Sequence, residues 1–208
     1  MSVLFSPDEF TKLKEMLVLY QCALKNMTTR MDILLDDFSN LQANNPIEHI
    51  KHRLKSPESI AAKLHRLNRE LTADSAKAHL TDIAGVRCIC SYTRDITFIA
   101  EVLKGQPDLR VISEKDYVTS PKPSGYRSYH LILEVPIYLS STEVKLPVEV
   151  QIRTQAMDFW ATLEHKARYK YKDKMPDHLA HDLQQCAAQI AELDERMFLI
   201  QEIVDIAY

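Results

Sequence analysis

The sequence predicts an α+β protein with helical extensions at both ends. Two runs near the middle, Tyr126 to His130 and Val148 to Arg153, alternate with the period of two that marks a β-strand. Apolar residues on either side of this centre recur at helical spacing instead. No repeat, low-complexity stretch or linker interrupts the 208 residues, a length that suits one good-sized domain. We therefore expect a single domain over 1–208, with N-terminal helices over 1–43, a core over 44–172 and a C-terminal helix over 173–208.

Taken in order, Ser6-Pro7-Asp8-Glu9 is a helix start, with Ser6 as N-cap and Pro7 in the first turn. Phe10, Leu13, Leu17, Tyr20 and Leu24 follow at helical spacing, and Asn44-Asn45-Pro46 breaks the pattern. Ser56 before Pro57 opens another helix, with Ser59 and Lys63 one turn apart. Arg53, Lys55, Ser59, Lys63 and Arg66 form a basic strip at that helix start. It is either an anion site helped by the free amides or a solvated helix face.

Thr81 to Tyr92 reads as a turn feeding a buried strand, with Asp82 just ahead of it. Cys88 and Cys90 pack there as small apolar residues, because no partner ligand lies at zinc spacing. Asp95 to Lys104 is a helix ending at Gly105, and Leu109 to Val118 a strand. A Pro-interrupted loop with Gly125 then opens into the first central run. In the second run the pleat sends Glu149, Gln151 and Arg153 to one face and Val148, Val150 and Ile152 to the other. Thr154 to about Tyr171 is a helix carrying Trp160, with Phe159 and Leu163 as core candidates. Beyond Pro176, residues Leu179, Leu183, Cys186, Ile190, Leu193, Met197, Ile200 and Val204 alternate steps of four and three. This heptad seam packs on its own domain or on a partner subunit.

The composition narrows the function. Lys plus Arg total 26 against 29 Asp plus Glu, a net charge of -3, which speaks against a broad DNA- or membrane-binding surface but allows a local basic cleft. No apolar run approaches a membrane span, no signal-peptide pattern opens the chain, and the four scattered Cys read as reduced thiols of a cytoplasmic protein. Paired carboxylates, Asp82 and Glu149, beside Arg and Lys suit a hard cation such as Mg²⁺ with phosphate oxygens completing its coordination. Tyr126, next to Gly125 with its face free, could stack on a base. These parts match phosphoryl-type transfer on a nucleotide, and the absence of P-loop and protein-kinase glycine motifs excludes those two solutions.

Six stretches carry a resemblance: Arg53-Leu-Lys-Ser-Pro-Glu-Ser59, Asp82-Ile-Ala-Gly-Val-Arg87, Lys115-Asp-Tyr117, Ser124-Gly-Tyr-Arg-Ser-Tyr-His130, Glu149-Val-Gln-Ile-Arg-Thr154 and Phe159-Trp-Ala-Thr-Leu-Glu-His165. In this order and spacing the chain resembles the small alarmone synthetases, the stand-alone branch of the RelA/SpoT family. Asn45 to His49 and Ala156 to Trp160 look more like the RelP-type than the RelQ-type members.

The resemblance implies a nucleotidyltransferase-like fold, a mixed five-stranded sheet flanked by helices. It implies transfer of the β,γ-diphosphate of ATP to the 3′-hydroxyl of GTP or GDP, giving pppGpp or ppGpp and AMP. Carried over position by position, Asp82 and Glu149 hold Mg²⁺, and Glu149 is also the base for the attacking hydroxyl. Arg53 and Arg87 flank adenine, while Lys55, Ser59 and Lys63 hold the ATP phosphates. Tyr126 stacks on guanine, Lys115 and Lys122 meet the acceptor's 5′ phosphates, and Gln151, Glu164 and His165 line the acceptor side. His130 is either a site residue or a strand residue hydrogen-bonded for structure.

The resemblance further implies a homotetramer assembled through helices, which suits the C-terminal seam. Hydrolase and ribosome-sensing parts of the long family members are not expected, and His49 and Asp158 replace RelQ-type residues tied to alarmone regulation, which puts activation by alarmone in doubt. Two other readings compete: a toxin-like relative that pyrophosphorylates the CCA end of tRNA, and a nucleotide- or RNA-binding module without turnover. The net charge disfavours a large RNA surface, and the presence of both carboxylates disfavours the second.

Overall fold

The computed structural model describes residues 5–41, 45–171 and 175–207. In the expected break at Asn44-Asn45-Pro46, Asn45 and Pro46 belong to neither helix nor strand; Asn44 and the boundaries at 43/44 and 172/173 lie outside the described residues. In chain order the elements are α1 (Pro7–Leu41), β1 (Ile47–Leu54), α2 (Pro57–Arg66), α3 (Ala73–His79), β2 (Ala84–Cys90) and α4 (Thr93–Lys104). Then come β3 (Arg110–Asp116), β4 (Tyr129–Tyr138), β5 (Glu143–Thr154), α5 (Gln155–Tyr171) and α6 (Asp177–Ala207). The strands form one mixed sheet in the order β1-β2-β5-β4-β3, in which β2 and β5 run parallel and the other neighbours antiparallel.

The pleat sorts the two faces of this sheet. Val86 and Cys88 of β2, Leu131 and Leu133 of β4, and Val148, Val150 and Ile152 of β5 are buried in one core with Leu13, Tyr20, Leu24, Met27 and Met31 of α1 and Ile96 and Ile99 of α4. Residues of opposite parity face the other way in register. One row across the sheet is Arg53, Gly85, Glu149 and Ile132; the next is Lys51, Arg87, Gln151, His130 and Lys115. The polar face read from the alternation of β5 is thus continued by the four other strands.

One sequence reading needs correction. Phe159 and Leu163, expected in the core, are 62% and 44% exposed. Helix α5 turns Met157, Trp160 and Ala161 inward, because the Trp160 indole reaches an acceptor, the Leu183 carbonyl of α6, at 2.8 Å. Positions 159 and 163 share a side one turn apart and rotate outward together.

The heptad seam of α6 is only half inward. Leu183 and Ile190 pack on Trp160, but Cys186, Leu193, Met197, Ile200 and Val204 are exposed. The inward stripe continues instead through Ala187, Asp194, Phe198 and Gln201. Its anchors are partly polar: Thr154 donates to Asp194 at 2.7 Å and Tyr92 to Gln201 at 2.9 Å. Among the described residues no helix is long and apolar enough to cross a membrane.

Candidate active site

Strand β1 ends at Leu54 and the chain turns at once into α2, whose N-cap Ser56 accepts from the Ser59 amide at 3.3 Å, with Pro57 in the first turn. This turn brings Lys55 and Lys63 to one carboxylate. Both ammonium groups lie 2.7 Å from Oδ2 of Asp82, the residue just before β2. The other oxygen, Oδ1, is buried with no hydrogen-bond partner. Burial raises the Asp82 pKa, but the two lysines more than reverse this and hold it below the usual carboxylate range. Lys55 itself is held below its ordinary range by burial and by the neighbouring Lys63 and Arg53 charges, against the pull of Asp82. The corner therefore carries surplus positive charge that an anion would relieve.

Gly85 sits between Arg53 and Glu149 in the first cross-sheet row. A Cβ there would make ordinary van der Waals contacts with Glu149 and Arg53, from 3.9 Å. Gly85 joins Lys51, Arg53, Arg87, Glu149 and Gln151 in walling a pocket of about 160 Å³. Arg53, Arg87 and Gln151 also wall a larger cleft of about 720 Å³, which runs on to Lys122, Tyr126, His130, Arg153, Glu164 and His165. The two spaces share Arg53, Arg87 and Gln151 as walls; Glu149 lines the smaller one and contacts Gln151 and His130 of the larger.

Glu149 is the end of a hydrogen-bonded chain. Arg153 donates to the Tyr126 hydroxyl at 2.6 Å, and that hydroxyl lies 2.8 Å from His130 Nε2. His130 Nδ1 lies 3.3 Å from Glu149 Oε1, while the Gln151 amide donates to Oε2 at 2.9 Å. A guanidinium only donates, so the Tyr126 hydroxyl accepts from Arg153 and links it to the His130 ring. Burial pushes the Glu149 pKa up, yet the His130 and Gln151 hydrogen bonds carry it below the usual value. The two open readings of His130 thus meet in one residue, structural toward Tyr126 and facing the site through Glu149.

The acceptor-side loop turns at Gly125, whose φ of 88° favours glycine and whose amide donates to the Lys122 carbonyl at 2.8 Å. Its Cα also lies so close to α6 that a Cβ would come within 2.5 Å of the Ala187 Cβ. The Tyr126 ring is not free-faced as the sequence reading held: Lys122 Nζ lies 4.8 Å and Arg153 Cζ 5.1 Å from its centroid. Lys122 also lies 4.6 Å from the Tyr117 ring. A base reaching Tyr126 would therefore displace the Lys122 ammonium, a contact worth about 0.5–1 kcal/mol at an exposed site.

The expected residues do not all meet. Arg53, Arg87, Lys122, Tyr126, His130, Gln151, Glu164 and His165 wall the cleft; Glu149 adjoins it through Gln151 and His130, while Lys55, Lys63 and Asp82 form a corner of their own outside both walls. Ser59 is exposed in the first turn of α2, its Oγ 3.1 Å from that of Ser56. Glu164 is tied to Arg168 one turn on. Lys115 stands opposite His130 on β3, exposed and outside the cleft wall.

One residue escaped the sequence reading as a part of the site. Asp158 of α5 is 7% exposed and holds Lys51, Arg87 and Arg153 at 3.1, 3.0 and 3.3 Å. Burial raises its pKa, and the three cations outweigh that and lower it. The signal was its place in the first turn of a helix that follows directly on a strand ending in Arg153 and Thr154.

Among the described residues no cluster of three or more His, Cys, Asp or Glu could hold a metal. The buried Oδ1 of Asp82 is without a partner, and the charge of Asp82 acts on Glu149; both carboxylates are hard oxygen donors that suit a hard cation whose other positions are filled by a ligand and water.

Comparison with known proteins gives one consistent answer. Residues 52–174 match the family model described as the region found in RelA/SpoT proteins. The chain is 45% identical over 192 residues to the GTP pyrophosphokinase YwaC of Bacillus subtilis, covering 92% of this chain and 91% of that one. Its structure superposes with a TM-score of 0.88 on small alarmone synthetase 1 from Bacillus subtilis bound to its product pppGpp, at 34% identity over 94% and 99% of the two chains. Small alarmone synthetase 2 from the same organism gives 0.83 at 44% identity, over 91% and 97%.

Proposed function

The chain belongs to the RelA/SpoT family, and from that premise we propose that it is a GTP pyrophosphokinase that makes pppGpp or ppGpp from ATP and GTP or GDP. Its relatives of nearly equal length carry that activity in their names. The observation that supports the same reading from the residues is the shared wall of the two spaces. Arg53, Arg87 and Gln151 wall both, Glu149 lines the smaller and contacts Gln151 and His130 of the larger, and Asp82, held by Lys55 and Lys63, is near enough for its charge to act on Glu149.

The donor side is the smaller pocket. Arg53 and Arg87 flank the ATP adenine, while Lys55, Lys63 and Ser59 at the α2 N-terminus take its phosphates. Both lysines are already held at Asp82, so phosphate binding is a short exchange of partners. The acceptor enters the larger cleft, its base on Tyr126 and its 5′ phosphates toward Lys122 and Lys115, with Gln151, Glu164 and His165 as further walls.

The 3′-oxygen of the acceptor attacks the β-phosphorus of ATP, the bond to the α-phosphate oxygen breaks, and AMP leaves with that electron pair. Glu149 accepts the 3′-hydroxyl proton, and its depressed pKa keeps it ionised for this role. His130 and Gln151 hold its two oxygens in place. Asp82 and Glu149 together hold Mg²⁺, which supplies charge neutralisation on the polyphosphate.

We further read residues 1–208 as one synthetase domain that works in the cytoplasm, a reading the four free thiols support. The exposed half of the α6 seam supports assembly into a homotetramer. Product analysis with ATP, Mg²⁺ and either GTP or GDP tests the activity: AMP and a guanosine tetra- or pentaphosphate are expected. Label from ATP found on tRNA and absent from guanine nucleotides would overturn the reading. Glu149→Gln should stop AMP release and keep nucleotide binding; persistent AMP release would remove Glu149 from its role.

A further inference from the structure

We propose that Asp158 is a positioning residue that sets the donor subsite by fixing Arg87, and ties it to the acceptor subsite through Arg153. The proposal rests on the functional reading above, which makes Arg87 a donor-side residue and gives the acceptor the larger cleft, whose wall includes Arg153.

One carboxylate oxygen does the joining. Asp158 Oδ1 accepts from Arg87 Nη1 at 3.0 Å and from Arg153 Nη1 at 3.3 Å. The two arginines depend on it unequally. Arg153 is also held by Ser128 Oγ at 3.2 Å and by the Tyr126 hydroxyl and Gln151 Oε1, both at 2.6 Å. Arg87 Nε is buried without a hydrogen-bond partner, and Asp158 is the one hydrogen-bond acceptor of its side chain among the described residues. The third cation, Lys51, is 56% exposed and adds little that solvent does not replace. Loss of the Asp158 charge therefore frees Arg87 and leaves Arg153 nearly where it is.

The position of Asp158 suits this task. Thr154 caps α5, accepting from the Met157 amide at 3.1 Å while donating to Asp194 of α6 at 2.7 Å. The first turn of α5 is thereby fixed at both the strand and the neighbouring helix, and Asp158 is presented from a rigid base. Near a helix N-terminus its negative charge is also favoured by the free amides.

The inequality gives the test. In Asp158→Asn, with shape and one acceptor oxygen kept, the KM for ATP should rise about tenfold or more. The KM for GDP should change by about threefold or less, with kcat at saturation of both substrates largely retained. In an Arg87→Gln background the same change should add little, because Asp158 acts through Arg87. Equilibrium binding of ATP alone, read by calorimetry, should weaken in parallel. Absence of AMP from the unmodified protein would sink the functional reading, and the calorimetric arm would still decide the role of Asp158. A fall in kcat or in thermal midpoint with ATP affinity unchanged would overturn the proposal and leave Asp158 as a structural counter-ion. Should Asp158→Asn not fold, Asp158→Glu keeps the charge and moves it by one methylene. Selective loss of ATP affinity is again expected, and unchanged ATP affinity again overturns the proposal.

Discussion

His130 Nδ1 lies 3.3 Å from Glu149 Oε1, and the opposite ring nitrogen lies 2.8 Å from the Tyr126 hydroxyl. A residue of the acceptor wall is thus wired to the carboxylate proposed as base. Removal of His130 has a definite sign. The His130 contact lowers the Glu149 pKa against the upward push of burial, so His130→Ala lets that pKa rise. A base works only when deprotonated, and the acid limb of kcat/KM against pH should move to higher pH. An unmoved limb, with activity merely reduced, would detach His130 from the ionisation of Glu149.

The turn at Gly125 gives a sharper prediction about the acceptor. Gly125→Ala puts a methyl 2.5 Å from the Ala187 Cβ on a backbone with φ of 88°, so either the loop or α6 must yield. The strain should cost about 1–3 kcal/mol, and it falls on Tyr126 and Lys122 far more than on the donor corner. The KM for GTP or GDP should rise roughly tenfold while the KM for ATP stays within about twofold. Equal change in both constants would mean that the loop and the donor side move as one body.

What could be read in the chain, and what could not, follows from how locally each feature is encoded. The alternation of β5 announced its two faces because the pleat acts residue by residue. Ser56-Pro57 marked the start of α2 because cap and first turn lie within a few positions. Strand β1 went unassigned: Ile47–Leu54 carries Glu, His, Lys, His and Arg with only Ile47 buried, since it is an edge strand whose identity comes from pairing with β2. Asp158 was opaque for the same reason. A carboxylate in a first helical turn reads as a solvated complement to the helix dipole until Arg87, 71 positions earlier, is seen beside it. How the α6 seam divides between its own domain and the surface could not be read, because the inward stripe includes Asp194 and Gln201, polar positions that an apolar count passes over.

The apolar residues that the stripe leaves outside lead to a prediction about assembly. Leu193, Met197, Ile200 and Val204 are 53%, 48%, 54% and 44% exposed along one helix. Burial of such a side chain is worth about 1.5–3 kcal/mol, and a charge placed among them would cost more than that in a closed interface. Met197→Glu with Ile200→Glu should shift the mass measured by light scattering to a smaller species, with the thermal midpoint of the remaining fold largely kept. A native mass in the double variant would move the subunit contact elsewhere.

Asp194 contributes a pH dependence of the opposite sense to the site carboxylates. Burial raises its pKa above 3.8, and the Thr154 hydroxyl and the Arg127 charge only partly oppose this. A carboxylate with a raised folded pKa contributes stability that is fully present below the unfolded value and lost as pH rises through the folded one. In Asp194→Asn the amide oxygen can still accept from Thr154, which needs that partner because its own oxygen caps the Met157 amide. The variant carries no charge to desolvate. It should therefore melt above the unmodified protein at neutral and alkaline pH, by roughly 2–4 °C for each kcal/mol in a chain of this size. The gap should close as pH falls toward 3.8, where the native carboxyl is itself protonated. Melting curves of both proteins across that range decide the matter, and a gap that persists unchanged in acid would show that packing around Asn, rather than the lost charge, accounts for the gain.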